Sequence, residues 1–237
     1  MSSTAAPLLD VRGLKAFYGD FQALHGISFT LEKGSVLALI GANGAGKSTL
    51  LKSICGLLVS DKDAIHWKGE AIGNAPANAI VKQGIALVPE GRRLFPSLSV
   101  EENLVLGGSM GRPGPWSLKA VYDLFPILAE KRKSPSTSLS GGQQQMAAIG
   151  RGLMSNPELI LLDELSLGLA PVIIKDIYAA LPRITGGGMS AILVEQDVTR
   201  ALASAGQFIC MQEGRVSLAG DPKAFTRDQI SAAYFGT

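Results

Sequence analysis

Apolar positions follow several different rhythms along the chain. Leu8 to Tyr18 and Phe21 to Leu31 read as two extended stretches, separated by a turn at Gly19-Asp20 and closed by Glu32-Lys33-Gly34, which predicts an antiparallel hairpin. Ser35 to Ile40 is a short apolar run without alternation, the pattern of a strand buried on both faces. It ends in a glycine-rich turn, and a helix is predicted from Lys47 to about Leu58. Ala64 to Ile72 and Ile85 to Val88 read as further strands. From Val100 the pattern turns helical, over Val100–Gly107, Ser117–Leu128 and Ser140–Met154, with Gly/Pro-rich and Ser/Pro-rich joins. Strand patterns return at Leu159–Asp163 and Ala191–Val194, with a helix from Pro171 to about Ile184 between them. Gln207–Met211 and Arg215–Ala219 make a hairpin around Glu213-Gly214. A last helix is predicted from Pro222 to Tyr234, with Asp221 as its N-cap and Pro222 at its first position. Strands alternating with helices predict an α/β fold with a mostly parallel sheet. The reading divides the chain into an α/β core over 1–96 and 151–237, with an antiparallel β subdomain near its N-terminus, and a helical subdomain over 97–150.

Composition narrows the class. The 237 residues carry 22 Lys plus Arg against 20 Asp plus Glu, a net charge of +2, which argues against a strongly basic nucleic-acid face. Charged residues make up 18%, below the usual share of about 25%. Such a chain has either a large core or apolar surface covered by partners. The apolar content of 46% and the absence of a glycine period exclude disorder and collagen. Cys55 and Cys210 sit in apolar surroundings and read as reduced core thiols. No apolar run reaches the roughly 18 residues needed to span a bilayer. The first residues lack the basic start and apolar stretch of a signal peptide. The expectation is a chain that stays where it is made and meets a membrane only through partners.

Three segments carry chemistry. Gly41-Ala42-Asn43-Gly44-Ala45-Gly46-Lys47-Ser48-Thr49 fits the G-x-x-x-x-G-K-[ST] pattern between a buried strand and a helix. Glycines let the backbone wrap a phosphate with its N–H groups pointing inward, and the helix N-terminus adds partial positive charge. Lys47 supplies a mobile point charge for the β- and γ-phosphates, and the Ser48 hydroxyl is placed for Mg²⁺. The plain alternative is a glycine-rich turn before a helix. Leu159-Ile-Leu-Leu-Asp163-Glu164 then ends an apolar strand in two carboxylates that folding does not require. Asp163 there suits Mg²⁺, and Glu164, expected to point the other way by strand alternation, suits polarisation of an attacking water. Two solvated acids are the alternative. Finally Leu139-Ser140-Gly141-Gly142-Gln143 opens the helix after the insert, with Ser140 able to cap it. That makes a second anion site on a chain that already has one phosphate cradle, which makes sense if it serves another subunit.

Together these three segments resemble the ATP-binding cassette (ABC) ATPases, over nearly the whole chain from about Leu8 to Gly236. Val88-Pro-Glu-Gly-Arg-Arg-Leu-Phe-Pro96, Leu98-Ser-Val-Glu-Glu-Asn-Leu104, Ser166-Leu-Gly-Leu-Ala-Pro171, Val194-Glu-Gln196 and Ala232-Ala-Tyr-Phe-Gly236 are similar to the LivF type, one of two ATPase subunits in bacterial importers of branched-chain amino acids. The resemblance implies ATP and Mg²⁺ as ligands and hydrolysis by Glu164. It implies a head-to-tail pair in which Leu139 to Gln143 of one subunit complete the site of the other. Two transmembrane permease subunits, a second ATPase subunit (a distinct one more in keeping with the type than a copy) and a binding protein outside the membrane would complete the complex, with this chain peripheral on the inner face of the cell membrane.

It also implies that an aromatic ahead of the phosphate loop stacks on adenine. Tyr18 matches, although from its residues alone it is a strand-end aromatic that suits core packing equally well. Glu90 stands where relatives usually have Gln, as a ligand for Mg²⁺ or water, or simply a solvated turn acid. Leu165 replaces the usual Pro, and Gln196 the usual His at the γ-phosphate, so Gln196 can donate a hydrogen bond but cannot shuttle a proton. His25 and His66 are expected to lie elsewhere, packed or facing solvent. Lys131-Arg-Lys133 reads as a solvated linker, and Arg92-Arg93 as either a partner contact or a solvated turn. The alternatives are an ABC ATPase for a related cargo such as urea or an amide, a soluble ABC ATPase acting on nucleic acid, and a plain P-loop kinase or GTPase.

Overall fold

The computed structural model describes residues 6–236. In chain order the elements are β1 (Leu9–Tyr18), β2 (Phe21–Leu31), β3 (Val36–Ile40), α1 (Lys47–Ile54), β4 (Ile65–Trp67), β5 (Glu70–Ala71), α2 (Ala77–Gln83), β6 (Ile85–Val88), α3 (Val100–Gly107), α4 (Leu118–Leu124), α5 (Pro126–Glu130), α6 (Gly141–Met154), β7 (Leu159–Asp163), α7 (Pro171–Thr185), β8 (Ser190–Glu195), α8 (Val198–Ala203), β9 (Gln207–Gln212), β10 (Arg215–Gly220) and α9 (Arg227–Phe235). They form two sheets. One is antiparallel, in the order β2-β1-β4-β5. The other runs β10-β9-β3-β8-β7-β6, parallel except for the β9–β10 hairpin.

The unalternating runs become the central parallel strands. β7 and β8 are buried at every residue, and β3 at all but its first. A strand covered on both faces has no polar side to display. One face packs with α1 against the antiparallel sheet, through residues such as Leu24, Leu51 and Ile192. The other meets α6 and α7 through Ile149, Ile160 and Ile177. A third cluster joins Ala38 and Phe208 to α8 and α9 through Ala201 and Ile230. Both cysteines are buried in these cores.

Several predicted elements are broken where the backbone demands it. The stretch Ala64–Ile72 is two short strands around Lys68-Gly69, both at positive φ. The helix expected over Ser117–Leu128 is split at Phe125, which lies outside the helical region because the Pro126 ring crowds it. Helix α1 ends at Ile54, short of Leu58; at Gly56 the backbone is left-handed and a Cβ would run into the Ala75 carbonyl. At the C-terminus Asp221 caps only a single 3₁₀ turn, over Pro222–Ala224. The chain then extends so that the Phe225 ring meets Phe208 edge-on at 5.5 Å, and α9 starts afresh from a capping box of Thr226 and Gln229. Helices α2 and α8 have only seven and six residues, too short for an apolar period to declare itself.

The segment that leads from β6 to α3 is held by one buried amide. Asn103 is fully buried on α3. Its Nδ2 donates to the carbonyls of Phe95 (3.1 Å) and Ser99 (2.9 Å), and its Oδ1 accepts from the Phe95 N–H at 2.8 Å. Truncation leaves the Phe95 N–H without its acceptor, at a cost of about 1–3 kcal/mol, while the Phe95 carbonyl keeps Ser136 Oγ and the Ser99 carbonyl keeps the Asn103 N–H as donors. Asn103→Ala is therefore expected to lower unfolding stability by about 1–3 kcal/mol, read as a shift of the urea midpoint at unchanged slope.

Candidate active site

A cavity of about 740 Å³ opens at the C-terminal edge of the parallel sheet. Its floor is the loop between β3 and α1. Gly41 lies at φ 152°, where a Cβ would strike the Met211 carbonyl, and Gly46 at φ 98°, where a Cβ would come within 2.9 Å of Leu24. Only glycine lets the loop lie this close to its neighbours. Gly46 opens α1 without a side-chain cap, so the amide groups of the first turn remain for an anion. The sequence-predicted loop residues Asn43, Gly44, Ala45, Gly46, Lys47, Ser48 and Thr49 all line the cavity.

Lys47 is buried beneath this loop. Its Nζ donates to the carbonyls of Gly41 (2.7 Å) and Ala42 (3.0 Å), which leaves one of its three N–H donors. Burial lowers its pKa, opposed by the charges of Glu164, Asp163 and Glu90. Ser48 Oγ donates to Asp163 Oδ1 at 3.4 Å. Asp163 is 6% exposed, and burial raises its pKa. The Ser48 hydrogen bond works against that rise, while the neighbouring Glu164 and Glu90 add to it. One ammonium thus faces three carboxylates.

β7 ends at Asp163, and the orientation of Glu164 comes from its backbone rather than from strand alternation. Glu164 sits in the left-handed region at φ 49°, which turns its carboxylate into the cavity. Its N–H donates to the Val194 carbonyl at 3.0 Å, and Gln196 Nε2 donates to its Oε2 at 2.8 Å. Glu90 also lines the cavity, exposed at its mouth.

Tyr18 and Phe21 form an aromatic rim. They are directly paired across the turn at the tip of the β1–β2 hairpin and are 45% and 69% exposed. Tyr18 Oη lies 3.5 Å from Thr49 Oγ1. Phe21 was not singled out from the sequence, although an aromatic just beyond a two-residue turn opposite another aromatic is a readable signal. His25 lines the cavity too, contrary to the expectation that both histidines lie away from the site.

Leu139 to Gln143 do not line this cavity. Ser140 and Gln143 cap α6 reciprocally: Gln143 N–H donates to Ser140 Oγ (3.3 Å) and Ser140 N–H to Gln143 Oε1 (3.0 Å). The Ser140 hydroxyl proton stays available to an outside acceptor. Leu139 and Gly142 are buried, and a Cβ on Gly142 would collide with Ile173 of α7, so this glycine lets α6 and α7 approach. The turn at Arg92 and Arg93 is not free but tied to α6. Arg92 donates to Gln144 at 3.3 Å, and Arg151 donates to the carbonyls of Arg92 (3.1 Å) and Arg93 (2.6 Å). Lys131, Arg132 and Lys133 are exposed.

A family model described as ABC transporter matches residues 24–166. The chain is 41% identical, over 97% of its length and all of the relative's, to a high-affinity branched-chain amino acid transport ATP-binding protein, BraG, of Pseudomonas aeruginosa. It is 32% identical, over 87% of its length and 89% of the relative's, to a probable branched-chain amino acid transport ATP-binding protein, LivF, of Archaeoglobus fulgidus. Among solved structures, an ATP-binding cassette of an ABC transporter in its ADP conformation superposes with a TM-score of 0.77 at 26% identity, covering 98% of this chain and all of that one.

The crowding of carboxylates has a measurable consequence. Because the folded pKa of Asp163 lies above its ordinary value of 3.8, its favourable contribution to stability is fully present below that value and is lost as pH rises through the folded pKa. Asp163→Asn removes the charge. Without ligands at pH 7 the variant is expected to melt about 2–4 °C above the parent, with the gap closing as the pH falls towards 4. A parent melting curve equal to that of the variant at both pH values would contradict this.

Proposed function

The chain belongs to the ABC transporter family, whose ATP-binding subunits hydrolyse ATP, and from that premise we propose that it powers the uptake of branched-chain amino acids through partner permeases. The similarity to BraG along the full length of both chains is the observation that carries this reading. Among the described residues no helix is long and apolar enough to cross a membrane, which accords with a subunit that reaches the membrane through partners. In this reading the chain sits on the inner face of the cell membrane and pairs with a second ATPase subunit, a distinct one by its likeness to the LivF type. Two permease subunits form the path, and a binding protein outside the membrane selects the cargo. Residues 97–150 act as the signature subdomain of the cassette.

The chemistry follows from the side chains. Adenine rests against Tyr18, with Phe21 beside it. The triphosphate lies in the loop Gly41–Thr49, where backbone N–H groups and the remaining N–H of Lys47 meet its oxygens. One cation against three carboxylates is a poor host for a triphosphate unless a divalent cation joins them. The donors present, Ser48 Oγ and Asp163 Oδ1 with Glu90 nearby, are the hard oxygens that Mg²⁺ prefers. Mg²⁺ commonly takes one or two protein oxygens and leaves the rest to phosphate and water. When bound, Mg²⁺ neutralises charge on the β- and γ-phosphate oxygens.

Glu164 takes the proton of the attacking water. Gln196 occupies one carboxylate oxygen as a donor and leaves the other free, so it orients the base and carries no proton itself. The hydroxyl of Ser140 and the N-terminus of α6 reach the γ-phosphate of the partner subunit, so that ATP closes the pair and hydrolysis releases it.

Glu164→Gln is expected to bind ATP normally and to hydrolyse it about 10²-fold or more slowly. Tagged and loaded with ATP, it should retain two polytopic permeases and a second cassette subunit from detergent-solubilised host membranes. Hydrolysis at the parent rate rejects Glu164 as the base. Recovery only in the soluble fraction with nucleic acid rejects the transport role.

A further inference from the structure

Glu195 is the last residue of β8 and is only 1% exposed. Among the described residues no Lys, Arg or His comes within ion-pair distance of it. The charge is met instead by three hydrogen-bond donors. Oε1 accepts from the Ser166 N–H at 3.2 Å and from Tyr178 Oη at 2.8 Å, and Oε2 accepts from Ser166 Oγ at 2.6 Å. A carboxylate is an expensive way to fill a buried strand end, where an apolar residue of similar volume folds at least as well. Its three partners all belong to the chain that follows Glu164.

Two rungs therefore cross from the end of β8 to the loop after β7. Gln196 holds the Glu164 side chain, and Glu195 holds Ser166, two residues further on, by both backbone and hydroxyl. Between them lies Leu165, which is buried and leaves φ unrestricted. Glu164 itself is held in a left-handed backbone that a residue with a Cβ adopts only under constraint. Tyr178 extends the second rung to α7, and the Arg200 guanidinium lies 5.5 Å from the Tyr178 ring centre.

We infer that Glu195 is a positioning residue, a buried clamp whose grip on Ser166 and Tyr178 keeps the strained Glu164 carboxylate aimed at the attacking water. The inference rests on Glu164 being the base. Glu195, Ser166 and Tyr178 do not line the cavity, so removal of the clamp displaces the base without weakening the cradle.

The test is a double-mutant cycle on the full-length chain, read by ATP turnover, nucleotide affinity and melting temperature. Glu195→Ala is expected to lower kcat about tenfold or more with KM for ATP within about twofold, since misplacing a reacting group by about 1 Å costs that much or more. In a Glu164→Gln background the same substitution should change the single-turnover rate by less than about twofold, because no base remains to be aimed. Equal fold losses in the two backgrounds, or a loss in KM rather than kcat, overturn the clamp and leave the base reading intact. Parent-like hydrolysis by Glu164→Gln alone overturns both. Should Glu195→Ala fail to fold, Tyr178→Phe replaces it in the cycle. It keeps both Ser166 contacts and is expected to lose about two- to fivefold in kcat only when Glu164 is present; no loss, or an equal loss in both backgrounds, again overturns the clamp.

Discussion

The parallel pairing of β3, β8 and β7 is the constraint from which the site follows. Ile40 stands opposite Glu195, and Asp163 opposite Val194, so the residues just beyond these strands emerge side by side. Gly41 starts the phosphate loop, Gln196 follows β8, and Glu164 follows β7. Strands that run the same way end at the same edge, and open α/β sheets keep their ligands there. The apolar character of the three strands is thus more than core filling. It obliges them to pack between two layers, and that packing sets the register.

Electrostatics then work against the empty site. Asp163, Glu164 and Glu90 crowd one buried lysine, and among the described residues none of the three gains a salt bridge to another cation. Stability is spent to hold groups whose use begins only when a polyphosphate and its counter-ion arrive, a common trade at sites of this kind. The left-handed backbone of Glu164 belongs to the same pattern, since strain there persists only because hydrogen bonds to Val194 of β8 and from Gln196 just beyond it hold the residue in place.

A second set of contacts links the mouth of the cavity to the signature helix. Gly91, Arg92 and Arg93 are consecutive residues at positive φ, directly after Glu90. Arg92 reaches Gln144, and Arg151, stacked over Phe95 at 5.6 Å, holds both arginine carbonyls from further along α6. Hydrogen bonds, rather than loose chain, thus tie α6 to the segment that directly follows Glu90.

Local sequence was enough for whatever depends on residues near one another in the chain. The glycine spacing before Lys47, the apolar runs of β3, β7 and β8, the cap at Ser140 and the two carboxylates after Leu162 could each be read directly, because backbone sterics and burial act within a few residues. The break at Phe125-Pro126 is local as well, since the proline ring restricts the residue before it. Helices α2 and α8 were too short to show a period. Other features depended on distant segments meeting. The pairing of Phe21 with Tyr18 as a rim, His25 at the cavity, the grip of Arg151 on the loop after Glu90 and the burial of Glu195 beneath Ser166 and Tyr178 each join residues whose proximity is set by sheet register and helix packing. A carboxylate in a sequence looks the same whether solvated or buried; only the packed fold decides what surrounds it, and with that whether it is surface charge, ligand, base or clamp.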